Sequence, residues 1–293
     1  MNKAHTAHVQ QIASFIREAR GKLVVLTGAG LSTGSGIPDY RGPNGVYKRN
    51  KDYTPITFQK FTASHEFRQR YWARSFVGWQ SIKDAKTNIS HQSLDKLAKA
   101  GWVKAGIITQ NVDGLLGKDN VLEMHGTLHE VGCLNCGHTV PRESFQQDLW
   151  NLNPSFHEKL SKPEKMTIGV REERPDGDVE IQWDYDKFQY PPCSSCHVGV
   201  YKPNVVFFGE NMRQDVRDRS FQMIDDASHL LIVGSSLAVF SSFRLLKHAH
   251  SLGHRIAAVN LGEFRGRELV DLWIDDSSDH ILPEVTKMLA SEK

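Results

Sequence analysis

"KLVVLTGAG", residues 22–30, carries an unbroken apolar run straight into a pair of glycines. A run with no polar side to turn to water suits a strand covered on both faces, as in a parallel sheet, and the glycines suit the tight loop that follows such a strand. Runs of the same kind recur as "AGIITQN" (105–111), "NVLEMHG" (120–126), "NVVFFGE" (204–210), "HLLIVGSS" (229–236), "RIAAVNLG" (255–262) and "LVDLWIDD" (269–276). Helical patterns lie between several of them, including "RDRSFQMIDDA" and "FRLLKHAHSLG". Strands alternating with helices predict an α/β fold, a doubly wound, Rossmann-like parallel sheet with helices on both faces.

Ahead of the first run, Val9, Ile12, Ala13 and Ile16 recur at helical spacing and predict a helix. The same acid-poor segment has some features of a mitochondrial leader but lacks the apolar core of a secretory signal. "SHQSLDKLAKAG" (90–101) predicts another helix, with Ser90 as N-cap and Gly101 as C-cap. Two stretches break the rhythm. Residues 40–90 are aromatic and charged and read as loop plus helices; residues 133–200 hold all four cysteines and the acidic "EKMTIGVREERPDGDVEIQWDYDKFQYPP". Both are expected to be insertions. The predicted division is 1–39 plus 91–132 plus 201–293 for a nucleotide-binding unit, and 40–90 plus 133–200 for a smaller helical and metal-binding unit.

With 293 residues, 24% of them charged and 39% hydrophobic, the chain has ordinary globular composition and room for one large domain or two smaller ones. A net charge of +2 gives no electrostatic case for nucleic-acid binding. No apolar run approaches the roughly 18 residues that span a bilayer.

Cys133-x-x-Cys136 and Cys193-x-x-Cys196 are separated by 56 residues. Two such pairs can give four thiolates to one tetrahedral Zn²⁺, closed to water and therefore structural. In small zinc modules such binding is worth roughly 10–16 kcal/mol, enough to hold an insertion with little core of its own.

"GAGLSTGSGIPDYRG" (28–42) stands where a phosphate-cradling turn belongs, but Thr33 occupies the third glycine position of the dinucleotide fingerprint. That speaks against an ordinary hydride-transfer dehydrogenase. In "TQNVDGLLGKDNVLEMHG" (109–126), Gln110, Asn111, Asp113 and His125 all fall at the carboxyl ends of predicted strands. The ligand crevice of a doubly wound sheet lies at those ends, so the four can converge.

These motifs, together with the paired C-x-x-C, "KPNVVFFGE", "VGSSL" and "VNLG", occur in order from about residue 20 to about residue 285. The set resembles the sirtuin family of NAD-dependent protein deacylases. "RQRYWARSFVGW" (68–79) and "PDYR" are most similar to its class II, mitochondrial sirtuin-4-like branch.

The resemblance implies that NAD is consumed and that His125 is the general base, with Asn111 beside it. An acyl-lysine carbonyl would attack the ribose carbon, nicotinamide would leave, and the acyl group would pass through an imidate to ADP-ribose. Histidine suits the base role because its reference pKa near 6.5 leaves it mostly neutral at physiological pH. NAD contacts are implied for Gly28, Ala29, Gly30, Ile37, Pro38, Asp39, Tyr40 and Arg41 from the glycine loop. Gln110, Asn111 and Asp113 would surround the nicotinamide and its ribose. Gly234, Ser235, Ser236, Asn260, Leu261, Gly262 and Ser278 would line the adenosine side. Val205, Phe207, Gly209 and Glu210 match the segment that takes up the substrate peptide as an added strand. Tyr71 and Arg74, three residues apart on a helix, are expected to clamp the carboxylate of an acidic acyl chain. Glutaryl, methylglutaryl or hydroxymethylglutaryl groups would then be favoured over acetyl. The implied partners are acyl-lysine proteins, with no nucleic acid and no membrane. The implied setting is a monomer in the mitochondrial matrix, with the cytoplasm as alternative.

Overall fold

The computed structural model describes residues 3–160, 170–181 and 185–292. Parts of the acidic stretch read as an insertion, 164–169 and 182–184, lie outside the described residues. Eleven strands follow in chain order among those described: β1 (Leu23–Thr27), β2 (Gly106–Thr109), β3 (Val121–Glu123), β4 (Gly126–Cys133), β5 (Thr139–Pro141), β6 (Val170–Glu173), β7 (Val179–Ile181), β8 (Tyr201–Val205), β9 (His229–Val233), β10 (Arg255–Val259) and β11 (Leu272–Ile274).

Six of them form one parallel sheet in the order β11-β10-β9-β1-β2-β3. Successive strand residues point to opposite faces, and both faces of this sheet are covered. Leu23, Val25, Leu231, Val233, Ala257 and Val259 join the core beneath helices Lys3–Glu18, Ile89–Lys99 and Ser278–Ala290. Val24, Leu26, Leu230, Ile232, Ile256 and Ala258 face the other way, toward helices Gln214–Asp225 and Phe240–Ser251. The doubly wound architecture follows from β1 having no polar face. Val9, Ile12, Ala13 and Ile16 are all buried on the first helix, as their spacing predicts.

A second core surrounds helix His65–Asp84, where Trp72, Phe76 and Trp79 pack with Leu128, Val131, Phe145 and Tyr201. Its sheet is antiparallel, in the order β5-β4-β8. Residues 126–132 and 201–205, expected in the nucleotide-binding unit, lie in strands paired with each other outside the parallel sheet. "NVVFFGE" is also corrected: the strand ends at Val205, and 206–210 turn back, with Glu210 N–H donating to the Phe207 carbonyl at 3.0 Å.

Ser90 is not an N-cap. Asn88 is, its side chain accepting from the Ser90 and His91 amides, and Gly101 follows the cap residue Ala100 in a left-handed conformation (φ 75°). The Ser90 hydroxyl instead donates to the Asp279 carboxylate and lies 2.9 Å from Ser278 Oγ, which ties two helices together.

Gly126 joins β3 to β4 with φ 81°, and a Cβ there would lie 2.0 Å from the Asn204 carbonyl oxygen. Gly126→Ala is therefore expected to cost about 2 kcal/mol or more, from a strained backbone plus a backbone clash. Urea denaturation would measure it; an unchanged midpoint would show that β4 and β8 can separate freely.

Candidate active site

The carboxyl ends of β1, β2, β3, β9 and β10 open into one cavity of about 750 Å³. Crossing loops make its floor. Gly30 N–H donates to the Gly234 carbonyl at 2.9 Å, and a Cβ on Gly30 would lie 2.9 Å from that same oxygen. Gly234 sits at φ 58°. Neither position has room for a side chain, so the glycine turn after β1 lies flush against the loop after β9.

Four short loops carry the polar groups. Gln110 Nε2 donates to Thr27 O at 3.0 Å and to Ser235 Oγ at 2.7 Å, bridging three strand ends. Asn111 Nδ2 donates to Ser32 Oγ at 3.0 Å, and that hydroxyl donates to Asp113 Oδ2 at 2.6 Å. The Leu115 amide donates to the other Asp113 oxygen at 3.0 Å. These hydrogen bonds satisfy a carboxylate that is only 5% exposed.

His125 follows β3. Its Nδ1 lies 3.1 Å from the Gln110 carbonyl, which can only accept, so Nδ1 carries the hydrogen. The lone pair is therefore on Nε2, which faces the Ser241 hydroxyl at 2.9 Å. Burial pushes the imidazole pKa below its ordinary 6.5, with the Gln110 carbonyl opposing the shift. The ring is thus a neutral base with a fixed tautomer.

Most of the expected contacts line this cavity: Gly28, Ala29, Gly30, Ile37, Asp39, Tyr40 and Arg41 from the first loop, and Gln110, Asn111, Asp113 and His125 from the next two. Gly234, Ser235, Ser236, Asn260, Leu261 and Ser278, expected on the adenosine side, line it too. Val205, Phe207, Gly209 and Glu210 form another wall, where Glu210 accepts from Lys202 Nζ at 3.0 Å and from the Phe207 amide at 2.8 Å. Pro38 and Gly262 are not among the lining residues; the Gly262 carbonyl accepts from Asn260 Nδ2 at 2.9 Å and so shapes that side chain.

Tyr71 and Arg74, the expected acyl clamp, lie behind the cavity wall. Neither lines the cavity, and both are buried. Tyr71 packs edge-on against Phe61 and Phe207. The Arg74 guanidinium grips Asp178 with two hydrogen bonds of 2.6 and 2.9 Å. Asp178 follows a turn whose Pro175 and Asp176 do reach the cavity. Desolvation raises both carboxylates, Asp176 to about 7 and Asp178 to about 6. No pattern in the sequence pointed to this internal partner.

Ser32 was legible within the glycine loop but carried no expectation. His91, whose Nε2 lies 3.4 Å from Ser32 Oγ, and Ser241 had no signal of their own.

The four cysteine sulfurs lie within 4.8 Å of one another, with Cys133–Cys196 at 3.8 Å and Cys136–Cys193 at 3.7 Å. Tetrahedral Zn–S bonds of about 2.3 Å require S···S separations of about 3.8 Å, so the cluster fits one zinc ion. Amides of Asn135, Ser195 and Gly199 point at three of the sulfurs, as thiolates need. The cluster lies in the small antiparallel unit and brings no open coordination position to the cavity.

Residues 28–241 match the model of the Sir2 family. The chain is 50% identical over 287 residues to the NAD-dependent protein deacylase SIR4 of Batrachochytrium dendrobatidis, covering 95% of this chain and 93% of that one. It is 38% identical over 272 residues to the NAD-dependent protein deacylase Sirt4 of Drosophila melanogaster, covering 91% and 83%. Among solved structures, a Sir2 complex with a p53 peptide and NAD⁺ superposes with a TM-score of 0.68 at 27% identity, covering 96% and 97% of the two chains. Family model, relatives and fold agree with the cavity just described: the chain belongs to the Sir2 family, the sirtuins.

Proposed function

We propose that this chain is an NAD-dependent protein deacylase that transfers the acyl group of an acylated lysine to ADP-ribose and releases nicotinamide. One observation carries the reading. The Nε2 lone pair of His125 faces a cavity whose other walls are the glycine turn, the Gln110–Asn111–Asp113 cluster and the 205–210 segment. NAD, when bound, supplies an electrophilic ribose carbon and a leaving group.

Gly28–Gly30 receive the pyrophosphate without side-chain obstruction. Asp113, with Ile37, grips the nicotinamide carboxamide; Asn111 and Gln110 hold the adjoining ribose. His125 Nε2 takes a proton from a ribose hydroxyl, and the Gln110 carbonyl steadies the imidazolium that forms. Asn260 and Ser278 serve the adenosine end. Segment 205–210 binds the substrate main chain, which gives affinity with little demand on sequence. The zinc-held unit, residues 40–90 plus 133–200 with the strands at 126–133 and 201–205, frames the peptide side. The reading extends to a monomer acting in the mitochondrial matrix, checked by sedimentation and cell fractionation.

The experiment is a panel of acyl-lysine peptides with NAD, scored by product mass. O-acyl-ADP-ribose with free lysine supports deacylation. ADP-ribose attached to protein would instead mean mono-ADP-ribosyl transfer, and no nicotinamide release across the panel would mean a non-catalytic NAD sensor.

Within that panel we propose a preference for carboxylated acyl chains. The support is Arg74, a buried guanidinium that already binds one carboxylate, Asp178, beside residues of the cavity wall. A glutaryl-type chain would take over that site, so Asp178 is its competitor. Arg74→Ala is expected to reduce activity on glutaryl peptide at least about tenfold more than on acetyl peptide, the loss of a charged hydrogen-bonded pair. Asp178→Asn should lower KM for the glutaryl peptide. Equal losses on both peptides in the Arg74 variant would remove Arg74 from acyl selection.

A further inference from the structure

The cavity has one rim that the reaction leaves unused. Phe240 opens helix Phe240–Ser251 and is 62% exposed, although it lines the cavity. One turn later Arg244 lays its guanidinium over two rings, 5.8 Å from the centre of Phe240 and 5.4 Å from that of Phe221. Among the described residues Arg244 makes no ion pair. Arg217, on the neighbouring helix Gln214–Asp225, also lines the cavity and is paired with its exposed chain neighbour Asp218. In segment 205–210, which also lines the cavity, the one carboxylate is Glu210, which is committed to Lys202.

This rim is therefore an aromatic shelf bearing cations, with no internal anion assigned to Arg244. An exposed aromatic face at a cavity mouth marks a contact surface, and a guanidinium already stacked on rings has little side-chain freedom left to lose. We propose that Arg244, Phe240 and Phe221, with Arg217, dock acidic residues flanking the acylated lysine of the substrate protein. The proposal rests on the deacylase reading and adds to it a sequence preference. A peptide held in extended form against the 205–210 wall presents residues two places from the lysine on one face, about 7 Å along its chain, in the same cavity that Arg244 lines. Main-chain pairing would hold any acyl-lysine peptide, and the shelf would choose among them by charge.

The test measures binding by fluorescence anisotropy, so that it stands apart from turnover. Three labelled twelve-residue peptides share one acyl-lysine and differ in its flanks, which are two Glu, two Gln or two Lys. The Glu peptide is expected to bind about tenfold tighter than the Lys peptide at low ionic strength, with the gap narrowing as salt is added. Arg244→Gln should flatten the series, and Arg244→Glu should invert it. Thermal stabilisation by NAD reports that each variant is folded. Equal binding of the three peptides, or a preference that survives Arg244→Glu, overturns the proposal. Tighter binding of a twelve-nucleotide RNA than of the Glu peptide would assign the shelf to nucleic acid and overturn it as well. Should the peptides bind with charge preference yet release no nicotinamide, the shelf stands and the deacylase reading falls.

Discussion

Replacing His125 with alanine is expected to reduce nicotinamide-coupled deacylation by about 10²–10⁴-fold, the usual worth of a positioned general base. The protein should remain folded. His125 makes one hydrogen bond to a backbone carbonyl and one to Ser241, and both partners border a cavity that water can enter. The stability cost is therefore about 1 kcal/mol. NAD-induced thermal stabilisation should persist, because the glycine turn, Asp113 and Asn260 are untouched. A variant that loses its melting transition would identify the histidine as structural.

The wild-type pH profile gives a second readout. Burial lowers the imidazole pKa, so the neutral, basic form persists into mild acid. The acid limb of kcat/KM is expected below pH 6.5, the ordinary histidine value. An acid limb above that value would assign the titration to another group.

The second large effect concerns the cysteines. Cys193→Ser, or prolonged chelation, is expected to unfold the small unit, because zinc binding worth roughly 10–16 kcal/mol in comparable modules would be lost. Cys193 is buried, and besides Cys196 of its own turn the cluster draws Cys133 from β4 and Cys136 from the turn beyond it. Metal analysis should return one zinc per chain in the parent protein. Hydrogen exchange should then show β4, β5 and β8 losing protection before β1 and β9. A variant with full protection and no bound metal would show that the hydrophobic core around Trp72 suffices alone.

The parallel sheet was legible because β1, β9 and β10 are apolar on both faces, and few folds bury such strands. The convergence of Gln110, Asn111, Asp113 and His125 was legible for the same reason, since strand ends in such a sheet share a crevice. Features set by contacts between distant segments were not. Tyr71-x-x-Arg74 has the spacing of an exposed clamp, but nothing in that helix reports that a turn a hundred residues on delivers Asp178 to the guanidinium. Ser90 resembled a cap because serine commonly is one, yet the helix starts earlier, and Asn88 caps it by accepting from the amides of Ser90 itself and His91. The apolar run at 204–210 read as one strand, but left-handed Gly209 and the Glu210 anchor fold its second half back.

The central position of β1 has a kinetic consequence. Its partner on one side, β9, pairs Leu23 with His229, roughly two hundred residues downstream. Loop-closure entropy must be met before that pairing yields any return, so refolding from denaturant should be slow. A nascent chain released before β9 would carry β1 with a bare, wholly apolar edge, a template for aggregation. Synthesis of this protein therefore depends on shielding its first strand until nearly four-fifths of the chain has emerged.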